Sequence, residues 1–168
     1  MTIFRRLVAQ DRLPIHSRKI PILSPLSGKV FGLDHSSSPL FTNRLLGEGV
    51  CISPSGFQLF SPFNGTILSI SVCIDQIKIK SKQGIVMYIQ MGIGESMFYG
   101  EGLRAKVKVG SVVKQGDTIL EFDLAKIKSK VSNFTCACTI LNSDKTKGVL
   151  IHEHNVRALE DAVMTLIF

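Results

Sequence analysis

The chain has 168 residues, 45% of them hydrophobic, which suits one domain with a single core and excludes a disordered chain. It carries 20 Lys+Arg against 13 Asp+Glu, a formal charge of +7, so charge alone admits nucleic acid, an anionic membrane or an acidic partner. Trp is absent and only 2 Tyr are present, so the stacking platforms of single-strand nucleic-acid binders are scarce and nucleic acid is not expected as a partner.

At the N-terminus, MTIFRRLVAQDR sets Ile3, Phe4, Leu7 and Val8 at helical spacing, with Arg5, Arg6 and Arg12 elsewhere. Such a segment suits either weak attachment to an anionic membrane surface or a frayed tail. Residues 1–19 are expected to form this amphipathic segment and a linker, and residues 20–168 one β domain. No apolar run approaches the length of a transmembrane helix, and the N-terminus lacks a signal-peptide core.

From Ile20 onward, short apolar or alternating runs are divided by Gly-containing turns: Ser27-Gly28, Ser55-Gly56, Asn64-Gly65, Gln83-Gly84 and Gln115-Gly116. That texture predicts an all-β sandwich or barrel. A short internal repeat joins LSPLSGKVFGL (23–33) to FSPFNGTILSI (60–70) and suggests a quasi-symmetric fold. QIKIK (76–80) alternates as a half-buried strand does, and IVMYIQM (85–91) reads as a more buried one. A symmetric hairpin centred on Lys82-Gln83 places Ile77 opposite Tyr88 and Asp75 opposite Gln90; a bulge or an odd-length loop would break that pairing. One helix is expected over 123–131, with Asp123 as N-cap and Leu124, Ile127 and Val131 on its inner face.

The four cysteines, Cys51, Cys73, Cys136 and Cys138, match neither a zinc knuckle nor a secreted disulfide framework, and are expected as mostly buried thiols. His152-Glu153-His154 would place two histidines on one face of a strand, a geometry zinc enzymes use. The separate His and Asp that a zinc-dependent β-barrel hydrolase also needs have no matching motif here. VKQGDTI (113–119) is similar to a turn of biotinyl and lipoyl carrier domains, but their modified-lysine hairpin is missing. No metal and no cofactor is expected.

Seven segments carry a stronger resemblance: PLSGKV (25–30), FTNRLLGEGVCISPSG (41–56), SPFNGTI (61–67), MGI (91–93), YGEGL (99–103), VKQGDTILEFDL (113–124) and LNSD (141–144). Their order and spacing resemble the glucose-type IIA component of the bacterial phosphoenolpyruvate:sugar phosphotransferase system from about Ile20 to Asp144. The resemblance implies a mostly β fold, an antiparallel sandwich or flattened barrel with short helices, and a cytoplasmic protein at most peripheral to the inner membrane. It implies phosphoryl relay: one histidine accepts the group from the carrier HPr and passes it to a transporter's IIB domain, while a second histidine beside it binds the phosphoryl oxygens. Implied partners are HPr, the IIB/IIC domains of a sugar permease, and regulatory targets. The residues at Ile3, Phe4, Leu7 and Val8 fit the family's membrane anchor.

The departure lies at the centre of that chemistry. The family signature before MGI ends in histidine, where this chain has Gln90; the second histidine's position holds Asp75. A carboxamide is no nucleophile, and a carboxylate repels phosphate. The expectation is therefore a family member with no intact catalytic constellation, its relay lost and partner binding or regulation left. The alternatives are a phosphocarrier with a non-histidine acceptor, such as Asp75, and a decayed remnant. The acidic rim that meets a basic HPr surface in the family is replaced at Ser38 and Gly94. The apolar docking face implied by the resemblance comprises Leu40, Phe41, Leu45, Leu46, Tyr88 and Met91. Phe41 and Leu45 could equally be the buried side of a helical turn.

Overall fold

The computed structural model describes residues 17–94 and 99–168. Ile3, Phe4, Leu7 and Val8 lie outside the described residues, and so does the anchor reading placed on them. The fold is mostly β, with 44% strand and 11% helix. The strands in chain order are β1 (Lys19–Leu23), β2 (Gly28–Gly32), β3 (Glu48–Pro54), β4 (Gln58–Phe60), β5 (Gly65–Ile70), β6 (Gln76–Ser81) and β7 (Val86–Met91). They continue as β8 (Leu103–Ala105), β9 (Val112–Val113), β10 (Thr118–Phe122), β11 (Cys136–Ile140), β12 (Gly148–Ile151), β13 (Asn155–Val156) and β14 (Ala162–Ile167). Two helices join them, α1 (Pro39–Thr42) and α2 (Leu124–Lys130).

An eight-stranded antiparallel sheet runs β13-β2-β3-β11-β7-β6-β5-β9, and two three-stranded sheets, β1-β14-β12 and β4-β10-β8, complete the architecture. The sheets do not close into a barrel, and the expected antiparallel sandwich is what forms. The described part of the domain already includes Arg18, whose backbone exchanges hydrogen bonds with Phe168 at 3.2 and 2.9 Å, and Lys19 belongs to β1.

The 23–33/60–70 repeat is structural. Buried Ser24 and Ser61 each donate to a carbonyl two residues on, Leu26 O at 2.5 Å and Phe63 O at 2.7 Å. Gly28 stands opposite Pro54 and Val156; Gly65 stands opposite Ser81 and Val113. At both glycines an added Cβ would run into a neighbouring backbone carbonyl, that of Ser53 or Lys80, so no side chain fits. Ser27 Oγ accepts from Ala158 N (3.0 Å) as Asn64 Oδ1 accepts from Gln115 N (2.8 Å). The strand order is correspondingly palindromic: β13-β2-β3-β11 mirrors β9-β5-β6-β7, and β1-β14-β12 mirrors β4-β10-β8. Carrying the registers across this quasi-two-fold relation matches Asp75 with Glu48, and Gln90 with Thr139.

The two halves differ in one connection. Residues 33–47, between β2 and β3, contain a 3-10 turn (Leu33–His35) and α1, whereas β5 and β6 are joined only by 71–75. The longer segment roofs its half of the sheet: Leu33, Phe41 and Ile93 pack with Cys51, Tyr88 and Ala137 on the outer face. The inner face joins the main core, to which Ile77, Ile79, Met87, Ile89 and Met91 belong.

Helix α2 forms where the sequence places it. Asp123 accepts from Lys126 N at 2.9 Å, Ile127 and Val131 are buried, and Leu124 packs against the core. Asp123→Ala is expected to cost about 1 kcal/mol of stability by urea unfolding, the usual cost of losing an N-cap.

Candidate functional site

The alternation of QIKIK turns Ile77 and Ile79 inward and leaves Gln76, Lys78 and Lys80 exposed on the outer face. On the neighbouring β7, Met87, Ile89 and Met91 point inward, and Tyr88 and Gln90 outward. The hairpin register is one residue away from the sequence expectation. Gln76 faces Gln90, Ile77 faces Ile89 and Lys78 faces Tyr88, while Asp75 O accepts from Met91 N at 2.7 Å. The reason is the loop. Ser81 and Ile85 close it around three residues, Lys82-Gln83-Gly84, and Gly84 adopts φ +90°, the left-handed position of a three-residue turn.

Asp75 and Gln90 nevertheless converge on Tyr88. The Tyr88 hydroxyl donates to Gln90 Oε1 at 3.0 Å, and Gln90 Nε2 donates to Gly92 O at 3.2 Å. Both ends of the carboxamide are thus engaged. Asp75 Oδ1 accepts from Ser71 Oγ at 2.6 Å, within a turn where Ile74 takes φ +63°. Burial first, and then the negative charge of Asp75, push the Tyr88 phenol up to about 12 from 10.0. Its protonated form is favoured in the fold. Between about pH 10 and 12 the unfolded chain gives up this proton and the native chain does not, so Tyr88's stability contribution falls as pH rises through that window. Asp75→Asn is expected to lower the Tyr88 pKa, read by ultraviolet titration.

The roof supplies the other wall. Phe41 packs on Tyr88 with ring centroids 6.4 Å apart and planes 28° apart. Arg44, in the left-handed region at φ +57°, is almost wholly buried; its Nε lies 3.2 Å from Glu48 and its Nη1 3.1 Å from Asp34. Nη1 also donates to Thr42 O at 2.8 Å. Ser37 stands against Gly94, so the two sides of the rim meet there.

Only part of the expected docking face is exposed. Leu40 (48%) and Leu45 (65%) are open, and Leu46 is half-buried. Phe41 and Met91 are fully buried and Tyr88 nearly so. Phe41 takes the inner side of its helical turn, and Met91 belongs to the core face of β7, so neither presents an exposed apolar surface. Sequence reasoning missed Lys78 beside Tyr88 and the Arg44–Glu48 pair. Opposite charges four residues apart, and the even numbering shared by Lys78, Tyr88 and Gln90, were the available signals.

The remaining reactive groups lie elsewhere. His152 and His154 follow the end of β12; His152 Nε2 lies 3.0 Å from Thr165 Oγ1, and burial, then His154, lower its pKa. None of the four cysteines forms a disulfide. Burial pushes the Cys51 thiol up to about 11 and that of Cys136 to about 12, and raises Cys138 well above its ordinary value. In the native protein at about pH 8, Cys73 is expected to be the one thiol that reacts with Ellman's reagent, and all four to react after unfolding.

The fold is an open antiparallel sandwich whose large sheet sets Gln90, on β7, beside the turn that carries Asp75 into β6. The family profile described as "phosphoenolpyruvate-dependent sugar phosphotransferase system, EIIA 1" matches residues 20–146, and the chain belongs to that family. The chain is 30% identical over 151 residues to the PTS system glucose-specific EIIA component of Buchnera aphidicola, covering 90% of this chain and 94% of that protein. It is 33% identical over 128 residues to the counterpart from Bacillus cereus, covering 76% and 78%. It is also 30% identical over 151 residues to the lactose permease of Lactobacillus delbrueckii, covering 88% of this chain but 24% of that protein. Glucose permease IIA from Mycoplasma capricolum shares the fold, with a TM-score of 0.77 at 20% identity over 91% of this chain and 99% of that one. Membership implies interaction with HPr and with sugar transporter IIB/IIC components.

Proposed function

We propose that this chain is a partner-binding member of the phosphotransferase system that carries no phosphoryl group of its own. The observation that carries the reading is the Asp75–Tyr88–Gln90 arrangement at the relay positions. A relay acceptor needs a nucleophile that is also a good leaving group, and Gln90 offers a carboxamide held at both ends by Tyr88 and Gly92. Asp75 adds negative charge where a phosphoryl group would sit. Its use as acceptor would call for strong charge stabilisation; among the described residues no group of three or more His, Cys, Asp or Glu side chains is gathered for a metal, and the neighbouring cation is the single Lys78 opposite Tyr88. Leu40, Leu45 and Leu46 then serve docking, with HPr, permease IIB/IIC domains or a regulatory target as partner. The chain acts in the cytoplasm, and Ile3, Phe4, Leu7 and Val8 provide weak membrane attachment.

The test is phosphoryl transfer from labelled phosphoenolpyruvate through enzyme I and HPr. No stable label is expected on this chain while a histidine-bearing relative labels in the same mixture. Stable label here overturns the proposal, and its loss on Asp75→Asn would assign the acceptor.

A further inference from the structure

Among the described residues the outer face of β5 and β6 carries no roof, because the 71–75 turn stands where the other half has residues 33–47. The bare outer face has a definite chemistry. None of the strands β5, β6, β7 and β9 contains an acidic residue. Lys78 and Lys80 project from β6, and among the described residues neither makes an ion pair. Lys78 is directly opposite Tyr88. Beside the lysines, Leu68 is 42% and Val112 77% exposed, where β5 bulges and where the two-residue β9 ends the sheet. The nearest carboxylate in sequence, Asp75, already accepts from Ser71.

Unpaired lysines interleaved with exposed aliphatic side chains attract an opposite charge and reward apolar contact together. The face runs up to the roof, since Lys78 is opposite Tyr88 and Phe41 packs on Tyr88. We propose that the outer face of β5 and β6, centred on Lys78 and Lys80, docks an acidic protein surface that carries exposed apolar side chains. The proposal deepens the partner-binding reading and rests on it.

Titration of the isotope-labelled full chain, followed by amide NMR, tests it with three probes. These are a short peptide of glutamates with two leucines, the same peptide with lysines for glutamates, and phosphatidylglycerol vesicles. The glutamate peptide is expected to give saturable shifts at 66–69, 76–80 and 88–90 that weaken with salt. K78E/K80E, changes at exposed positions, is expected to weaken that binding about tenfold or more. Preference for the lysine peptide, shifts elsewhere, vesicle binding in place of peptide binding, or no saturation by about 1 mM each overturn the proposal. Phosphoryl label decides the relay question separately, since peptide preference does not depend on it.

Discussion

The double variant D75H/Q90H is expected to remain a poor phosphoryl acceptor from HPr, and the quadruple variant D75H/Q90H/K78E/K80E to label about tenfold faster or more. Imidazoles at both positions would restore a nucleophile and a neighbouring donor. Position 90 already lies beside the Tyr88 hydroxyl and Gly92 O, two groups able to orient a ring. On the proposed reading, charge at the docking face is then the expected obstacle. The resemblance implies a basic HPr surface, and here Lys78 faces Tyr88 with Lys80 two residues further along the strand. Like charges slow encounter, and steering effects of this kind span about 10–10³ in association rate. The comparison is made from initial labelling rates at low and high salt. Equal rates for the two variants would place the obstacle in the relay geometry instead of the charge.

Arg44→Ala is expected to destabilise the domain by about 3–5 kcal/mol, because it removes the guanidinium that faces a buried carboxylate. Both side chains of the Arg44–Glu48 pair are only 8% exposed, and Arg44 also binds Thr42 O and Asp34. It thereby fastens the roof to β3. Asp34 is half exposed, so Asp34→Asn is expected to cost less than about 1 kcal/mol. Urea unfolding of the two variants checks the contrast. A loss for Arg44→Ala no larger than that for Asp34→Asn would show that the roof is held by Phe41 and Leu33 alone.

The sequence was most informative where one local rule decides. The helix at 124–130 follows from an N-cap and a three-residue stripe. The Ser-Pro-x-x-Gly repeat marks equivalent strand starts, because each glycine must admit a neighbouring carbonyl. The strand pair 76–81 and 86–91 was legible as a pair. Its register was not, since a three-residue loop with Gly84 in the left-handed region competes with a two-residue turn, and one residue of slip changes every facing partner. Grouping Tyr88 with Met91 on one docking face conflicted with strand alternation, which sends even and odd positions to opposite sides. The roof was hidden for another reason. Whether 33–47 lies over the sheet or away from it depends on Arg44 reaching Glu48 and Phe41 reaching Tyr88, contacts that no local pattern announces.

The duplicated architecture provides two equivalent grounds on which a site could be built, and the chain has used them unequally. At one, Glu48 and Thr139 are buried beside an inserted loop; at the other, Asp75 and Gln90 are only half-buried. Symmetry supplied the opportunity and a fifteen-residue connection withdrew half of it. A change in chemistry at the open position therefore alters what the protein can do without disturbing its closed counterpart. The scaffold tolerates new side chains at one copy because the buried Arg44–Glu48 pair that fastens it stands at the other.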